Sequence, residues 1–405
     1  MKKFWALLFF IVSFISIEGI ENKISENRLN QNWTEKELDN FIHSMTLQDK
    51  IGQVFISLIY GDVLDEKAQK FIDKTHVGNF LYFAWSNKLQ SFSQVKKLSS
   101  DIKSCVLEKT GILPIIAIDQ EGGKVSRLGI NFNSLSDGFT VFPGNRDVAK
   151  KDPSYAYGMG KTIGQEMKKA GLNLDFAPVV DVCPDENYFL SPRSYGKDPN
   201  TVVLYAKEMI KGLHDGGVLS TIKHFPGHGD AKINSHFGLA KVDKPLAEAL
   251  KTDLLPFILL KDETDCIMTG HIVFSCLDQT CASLSNIVLT DFLRNELKFK
   301  GVIISDSLAM RGVTPNQATF DEAVESLSKT AIKVFLAGCD CMIVSKLEWA
   351  DFKTTEDQDY EIIERVLKSF RSEVEEGAIS LNRLDESVRR ILKLKLKVLK
   401  IQSDL

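Results

Sequence analysis

The stretch TIKHFPGHGDAKINSHFGL, residues 221–239, gathers Lys223, His224, His228, Asp230 and His236 among glycines and a proline. Three of the chain's seven histidines fall between positions 224 and 236. An imidazole on such a loop can give up a proton near neutral pH and take it back, which is what general acid/base chemistry requires. His236 has the loop position for that role. The adjacent Lys223 and His224 end an apolar run and can bind hydroxyls. His228, between two glycines, shapes the loop. Taken singly, each histidine has a plainer account, as a surface residue or as a satisfied core residue.

The polar residues do not stand singly. Other apolar runs also close on them: IDQEGG at 118–123, VVDV at 179–182, TGHIVF at 269–274 and IISDSLAM at 303–310. If these runs are parallel strands, Asp119, Asp181, Lys223, His224, His271 and Asp306 share one rim. Asp306, after four apolar or small residues, sits at a strand tip where its carboxylate is partly desolvated. It could be a nucleophile, a metal ligand or an anchor for the next loop; anchoring is the commonest use of a lone aspartate. No further ligands stand near it at metal spacing, so no metal is implied.

Eight apolar runs suit buried parallel strands: 51–58, 77–84, 113–119, 172–182, 218–225, 266–274, 301–310 and 339–345. Amphipathic stretches lie between them, several ending in Gly, the usual helix stop. Eight strands with interleaved helices predict an α/β fold, a TIM-like (β/α)8 barrel of one catalytic domain over 41–400. Two charged amphipathic helices follow near the end. A polar stretch at 20–40 reads as a tether.

Residues 1–19, MKKFWALLFFIVSFISIEG, place two lysines before a short apolar run. That is the pattern of a cleavable signal peptide and predicts a secreted or periplasmic protein with no stable membrane span after cleavage. The run is shorter than the roughly 20 residues that cross a bilayer. The chain has 405 residues, 44% hydrophobic and 26% charged, with a formal net charge of −4. This composition is that of a soluble globular protein and offers no broad basic field for nucleic acid. Cys183, Cys266, Cys339 and Cys341 lie in apolar runs, where buried thiols are expected. Cys276 and Cys281 flank a short loop and are the one pair spaced to bridge. Asn32-Trp33-Thr34 is a glycosylation sequon if the host is eukaryotic.

Together, KHFPGHGD…NSH, IDQEGGKVSRL, LDFAPVVDV, RSYGKDP and GVIISDSLAM resemble glycoside hydrolase family 3. The similarity is greatest to its NagZ-like β-N-acetylhexosaminidase branch. It extends from SMTLQDKIGQVF to RLDESVRRILKLK, almost the whole chain. The resemblance implies Asp306 as the aspartate that forms a covalent glycosyl-enzyme and His236 as acid/base. It implies Lys223, His224, Asp119, Arg127 and Arg193 as sugar contacts. It implies a retaining enzyme, with no metal or organic cofactor, that acts on terminal β-linked N-acetylglucosamine of cell-wall fragments or chitooligosaccharides; the expected oligomeric state is a monomer.

Three positions depart from the branch pattern. Asn234 replaces the aspartate that partners the catalytic histidine; an amide still accepts a hydrogen bond but brings no charge. A lower His236 pKa, weaker catalysis, or compensation by Asp230 is the expected result. Ser307 stands where many relatives carry a second aspartate, and Lys124 replaces an arginine. Two kinds of alternative follow: a phosphorylase or β-glucosidase on the same fold, or a catalytically weak sugar-binding protein.

Overall fold

Runs of Ile, Val, Leu and Phe that bury both faces pair in parallel to form the centre of the molecule. The computed structural model describes residues 27–403 except 84, 132–133, 136–137, 184–188, 315–318 and 348–351. The signal-peptide prediction at 1–19 lies outside the described residues. The central strands are β1 (Phe55–Ile56), β2 (Asn79–Tyr82), β3 (Ile115–Ile118), β4 (Leu174–Asp175), β5 (Leu219–Phe225), β6 (Cys266–Thr269), β7 (Val302–Ser305) and β8 (Met342–Ile343). Strands β2 to β7 form one parallel six-stranded sheet in chain order, and β1 pairs with β8. Single parallel bridges, Ser57 to Phe80 and Ile304 to Cys341, link that pair to both edges of the larger sheet. The result is a curled parallel α/β sheet clad in helices.

Each strand is followed by a helix. The main ones are α3 (Glu66–Thr75), α4 (Phe92–Thr110), α5 (Ser154–Lys169), α6 (Pro199–Gly216), α7 (Phe320–Ala337) and α8 (Glu356–Glu375). They are preceded by α1 (Glu35–Ser44) and α2 (Leu47–Gln53) and followed by α9 (Leu381–Ser403). Local chemistry sets their ends. Thr319 and Glu322 form a capping box at the start of α7, and Gly111 in the left-handed conformation ends α4. Helices α5 and α6 approach backbone to backbone: a Cβ on Gly212 would lie 2.2 Å from the Tyr157 carbonyl oxygen.

Several predicted boundaries shift, for physical reasons. The first three residues of the run 51–58 are helical, because Thr46 caps α2 by accepting a hydrogen bond from the Asp49 amide. The run 172–182 leaves the sheet early, as Pro178 has no amide to donate, and rejoins it by a single Val179–Lys223 bridge. The run 266–274 divides into β6 and a short strand, Ile272–Phe274, that pairs with Ala240–Val242. The stretch read as a tether is packed where it is described: the Arg28 amide donates to the Gly111 carbonyl at 2.7 Å, Leu29 is buried, and α1 begins at Glu35. Cys276 and Cys281 do not bridge; both are free thiols, as are the other five cysteines.

Helix α9 secures the N-terminal ends of the strands. Lys395, with no exposed surface, donates to Gln53 Oε1 at 2.7 Å and to the Gly78 carbonyl at 3.0 Å. Burial lowers its pKa to about 7. Lys397 pairs with Asp265, just before β6. Asp340, before β8, accepts from Arg294 at 2.6 Å and from Ser387 and Arg390 at 2.8 Å each, as well as from the Ile303 amide at 3.0 Å. Burial would raise its pKa, but Arg294, Arg390 and Arg383 hold it below the usual carboxylate range. Replacing Asp340 with Ala leaves buried guanidinium groups uncompensated. The expected loss is about 3–5 kcal/mol in urea denaturation; a loss under about 1 kcal/mol would show that the cluster does not hold α9 to the sheet.

Candidate active site

The C-terminal ends of the strands surround a cavity of about 280 Å³. Asp119, Arg127, Arg193, Lys223, His224, His236 and Asp306 all line it. The two reacting residues and the five sugar contacts implied by the family resemblance therefore meet in one place. Asn234, outside the cavity lining, supports His236.

Two acidic residues, Asp119 and Glu121, leave the tip of β3 and organise its polar wall. Lys223, on β5 and 2% exposed, donates to Asp119 Oδ1 at 2.6 Å and lies 2.7 Å from Glu121 Oε1. Arg193 grips the same Glu121 through Nε at 2.8 Å and Nη2 at 2.7 Å. Glu121 is itself 1% exposed. Burial would raise its pKa, yet Arg193 and Lys223 hold it far below the usual range. Sequence reading assigned it no role. Its signal is the i, i+2 spacing from Asp119, which sends two carboxylates toward the same neighbours. Arg127 is placed by Gln120, whose Oε1 accepts from the Arg127 amide at 2.8 Å and whose Nε2 donates to the Leu128 carbonyl at 2.9 Å. Its guanidinium lies 3.9 Å from Asp119 Oδ2.

His224 is oriented from below. Its Nδ1 lies 2.7 Å from Asp181 Oδ2, and Arg193 Nη2 lies 3.5 Å from its Nε2. The peptide between Lys223 and His224 is cis. Asp181, expected on the rim, is fully buried beneath it. It also accepts from the His228 amide at 2.7 Å, which fastens the long loop after β5. Burial lowers the pKa of His228 to about 4, so it stays neutral, and its Nε2 lies 3.1 Å from Ser235 Oγ. Gly229 is required here: a Cβ would sit 1.7 Å from the Val182 carbonyl oxygen.

His236 is carried on this loop. Its backbone amide and its Nδ1 both lie 3.0 Å from Asn234 Oδ1. An amide oxygen can only accept, so Nδ1 carries the proton of the neutral ring and Nε2 is left to exchange one. Asn234 thus keeps the ring-orienting function without supplying charge. Asp230 does not compensate, because it is bound to Lys244, which also reaches Asp253. Burial lowers the His236 pKa, opposed chiefly by the charge of Asp306. The loop is joined to the loop after β7 where the Gly312 amide donates to the Ser235 carbonyl at 3.0 Å.

Asp306 follows β7. The Ser307 amide donates to its Oδ1 at 2.7 Å. Burial would raise its pKa, but His224, His271, His236 and that amide hold it below the usual value, so the carboxylate is ionised. His271, expected on the rim, is buried behind this segment between Ser283 Oγ and the Ser307 carbonyl, each at 2.9 Å. Ser307 Oγ lies 2.8 Å from Ser345 Oγ. Lys124 is exposed and does not line the cavity. Phe83, Trp85, Met310 and Lys346 form a wall that sequence reading did not predict. Among the described residues no group of three or more His, Cys, Asp or Glu could hold a metal ion, and no helix is long and apolar enough to cross a membrane.

Residues 46–394 match the glycosyl hydrolase family 3 N terminal domain. The chain belongs to glycosyl hydrolase family 3. It is 30% identical over 357 residues to a protein named Beta-hexosaminidase A of Pseudoalteromonas piscicida, a match covering 83% of this chain and 56% of that one. It is 32% identical over 290 residues to a Beta-hexosaminidase of Pseudomonas aeruginosa, covering 71% and 80%. A family 3 beta-N-acetylglucosaminidase structure from Paenibacillus superposes with a TM-score of 0.77 at 32% identity, covering 89% of this chain and 64% of that one. The chain thus spans little more than half of the first relative's length.

Restoring a carboxylate beside this family 3 histidine should show the electrostatic part of Asn234's role. Asn234→Asp is expected to raise the His236 pKa by about one unit, read by NMR titration of the ring with His236→Gln to assign the signal. An unchanged pKa would mean that residue 234 acts on the ring through geometry alone.

Proposed function

We propose that this family 3 chain is a retaining β-N-acetylhexosaminidase that removes terminal β-linked N-acetylglucosamine. The observation that carries this is one cavity shared by an ionised carboxylate, Asp306, a loop-borne imidazole, His236, and a wall of hydroxyl-binding groups. The names of the relatives support the choice of sugar. The scaffold we infer is a (β/α)8 barrel, with the bridges at Ser57 and Ile304 completing the ring. The protein would act outside the cytoplasm, after loss of residues 1–19, on cell-wall fragments or chitooligosaccharides.

In the first step Asp306 forms a bond to the anomeric carbon while His236 protonates the departing oxygen. The electrostatics of the site couple these two events. The negative charge of Asp306 is what raises the proton affinity of His236 against the effect of burial. As that charge is consumed in the new bond, His236 loses its support and releases its proton more readily. In the second step neutral His236 takes a proton from a water whose oxygen bonds to the anomeric carbon as the bond to Asp306 breaks, and the returning Asp306 charge stabilises the imidazolium. Lys223, His224, Asp119, Arg127 and Arg193 hold the sugar, so binding energy remote from the reacting bond is available for catalysis. Asn234 keeps the ring aligned, which favours an active enzyme over the reading as a sugar-binding protein.

The test uses the protein without residues 1–19 on nitrophenyl β-N-acetylglucosaminide and nitrophenyl β-glucoside, each with and without phosphate. Turnover of the first is expected, independent of phosphate and reduced by about 10³-fold or more in Asp306→Ala. Dependence on phosphate would make the protein a phosphorylase. No release by folded protein would leave a binding protein.

A further inference from the structure

The cations of the cavity differ in one respect. Lys223 and Arg193 share Glu121, and Asp119 serves both Lys223 and, at longer range, Arg127. Lys346, just after β8, lines the same cavity, yet among the described residues no carboxylate forms an ion pair with it. Its ammonium lies 5.8 Å from the centroid of the Trp85 ring. That ring is fixed by stacking on Phe83 at 5.0 Å and by an edge contact with Tyr60 at 6.1 Å. The charge of Lys346 is felt by Asp359, whose oxygens accept from Tyr60 Oη and, at 2.5 Å, from Thr354 Oγ1. Lys346 is therefore a half-buried cation held over an aromatic ring at the wall of the site, with its hydrogen-bonding capacity unspent on protein carboxylates.

A cation placed this way is completed by an anion on whatever fills the cavity. The glycon proposed above is neutral, and the residues proposed to hold its hydroxyls come from β5, from the tip of β3 and from the segment that carries Arg193. We propose that Lys346 is a specificity-determining residue that receives a carboxylate on the leaving group, so that the preferred leaving group is a sugar acid. This rests on the hexosaminidase reading of the site. It selects, within that reading, acidic glycans over neutral oligomers of N-acetylglucosamine. Trp85 supports the ammonium and supplies an apolar face beside it.

The test compares two disaccharides with β-linked N-acetylglucosamine at the non-reducing end. One carries glucuronic acid at the reducing end, and the other carries the corresponding primary amide, so they differ in charge and little in shape. The readout is the ratio of kcat/KM for acid over amide. Wild-type protein is expected to favour the acid about fivefold, the size of a partly screened ion pair. Lys346→Met should bring the ratio close to one, and Lys346→Arg should keep it. Raising the ionic strength to about 1 M, where the screening length is roughly 3 Å, should erode it in the wild type. A wild-type ratio near one would overturn the inference without any variant, as would a ratio unchanged in Lys346→Met. Failure to cleave either disaccharide or the nitrophenyl substrate would instead overturn the hexosaminidase reading, and this inference with it.

Discussion

Glu121 is the constraint on which the site depends. A carboxylate with 1% exposure is stable as an anion only if cations reach it, and here two do so from different parts of the chain. Lys223 comes from β5 and Arg193 from the segment after β4. By holding both, Glu121 fixes the distance between three strand ends and turns the two cations toward the cavity already neutralised. Under the proposed function a sugar would meet donors whose desolvation is complete before it arrives. Asp181 does similar work one layer down, where a single buried carboxylate aligns His224 and anchors the loop that carries His236.

The electrostatic pattern around the reacting groups follows from the same principle. His236 and His271, beside Asp306, are pulled toward neutrality by burial, and the aspartate is pulled toward ionisation by His224, His271 and His236. A second carboxylate as acid/base would have opposed the ionisation of the first. An imidazole does not. The amide at position 234 fits this economy of charge, because it orients the ring and adds no third negative group to the cavity.

The sequence made much of this legible. Strands buried on both faces must be continuous apolar runs, so all eight could be placed, and the polar residues ending five of those runs pointed to the rim. The shorter elements were less visible. Residues 51–58 read as one strand because a buried helix turn and a buried strand share the same composition, and only the cap at Thr46 separates them. Asp181 and His271 carry the same signal as Asp119 and Asp306 but lie behind the cavity, since depth along a strand end depends on neighbours that a linear pattern does not encode. Glu121 was missed because its partners lie about 70 and 100 residues away in the chain, at Arg193 and Lys223. Trp85 and Lys346 were missed because an aromatic or a lysine after a strand is ordinary on any surface, and it is the curvature of the sheet that brings β2 and β8 together.

The arrangement of α9 has a further bearing. Its cations reach the roots of β1, β2, β6 and β8, at the end of the sheet opposite the cavity. Persistence of the fold and choice of substrate are thereby assigned to different ends of the same strands. Changes around α9 alter how many molecules are folded; changes on the loops alter what a folded molecule selects. Inheritance can therefore revise the wall that carries Trp85 and Lys346 without touching the fastening beneath it. One scaffold can in this way be handed on across lineages while its preferred glycan is exchanged.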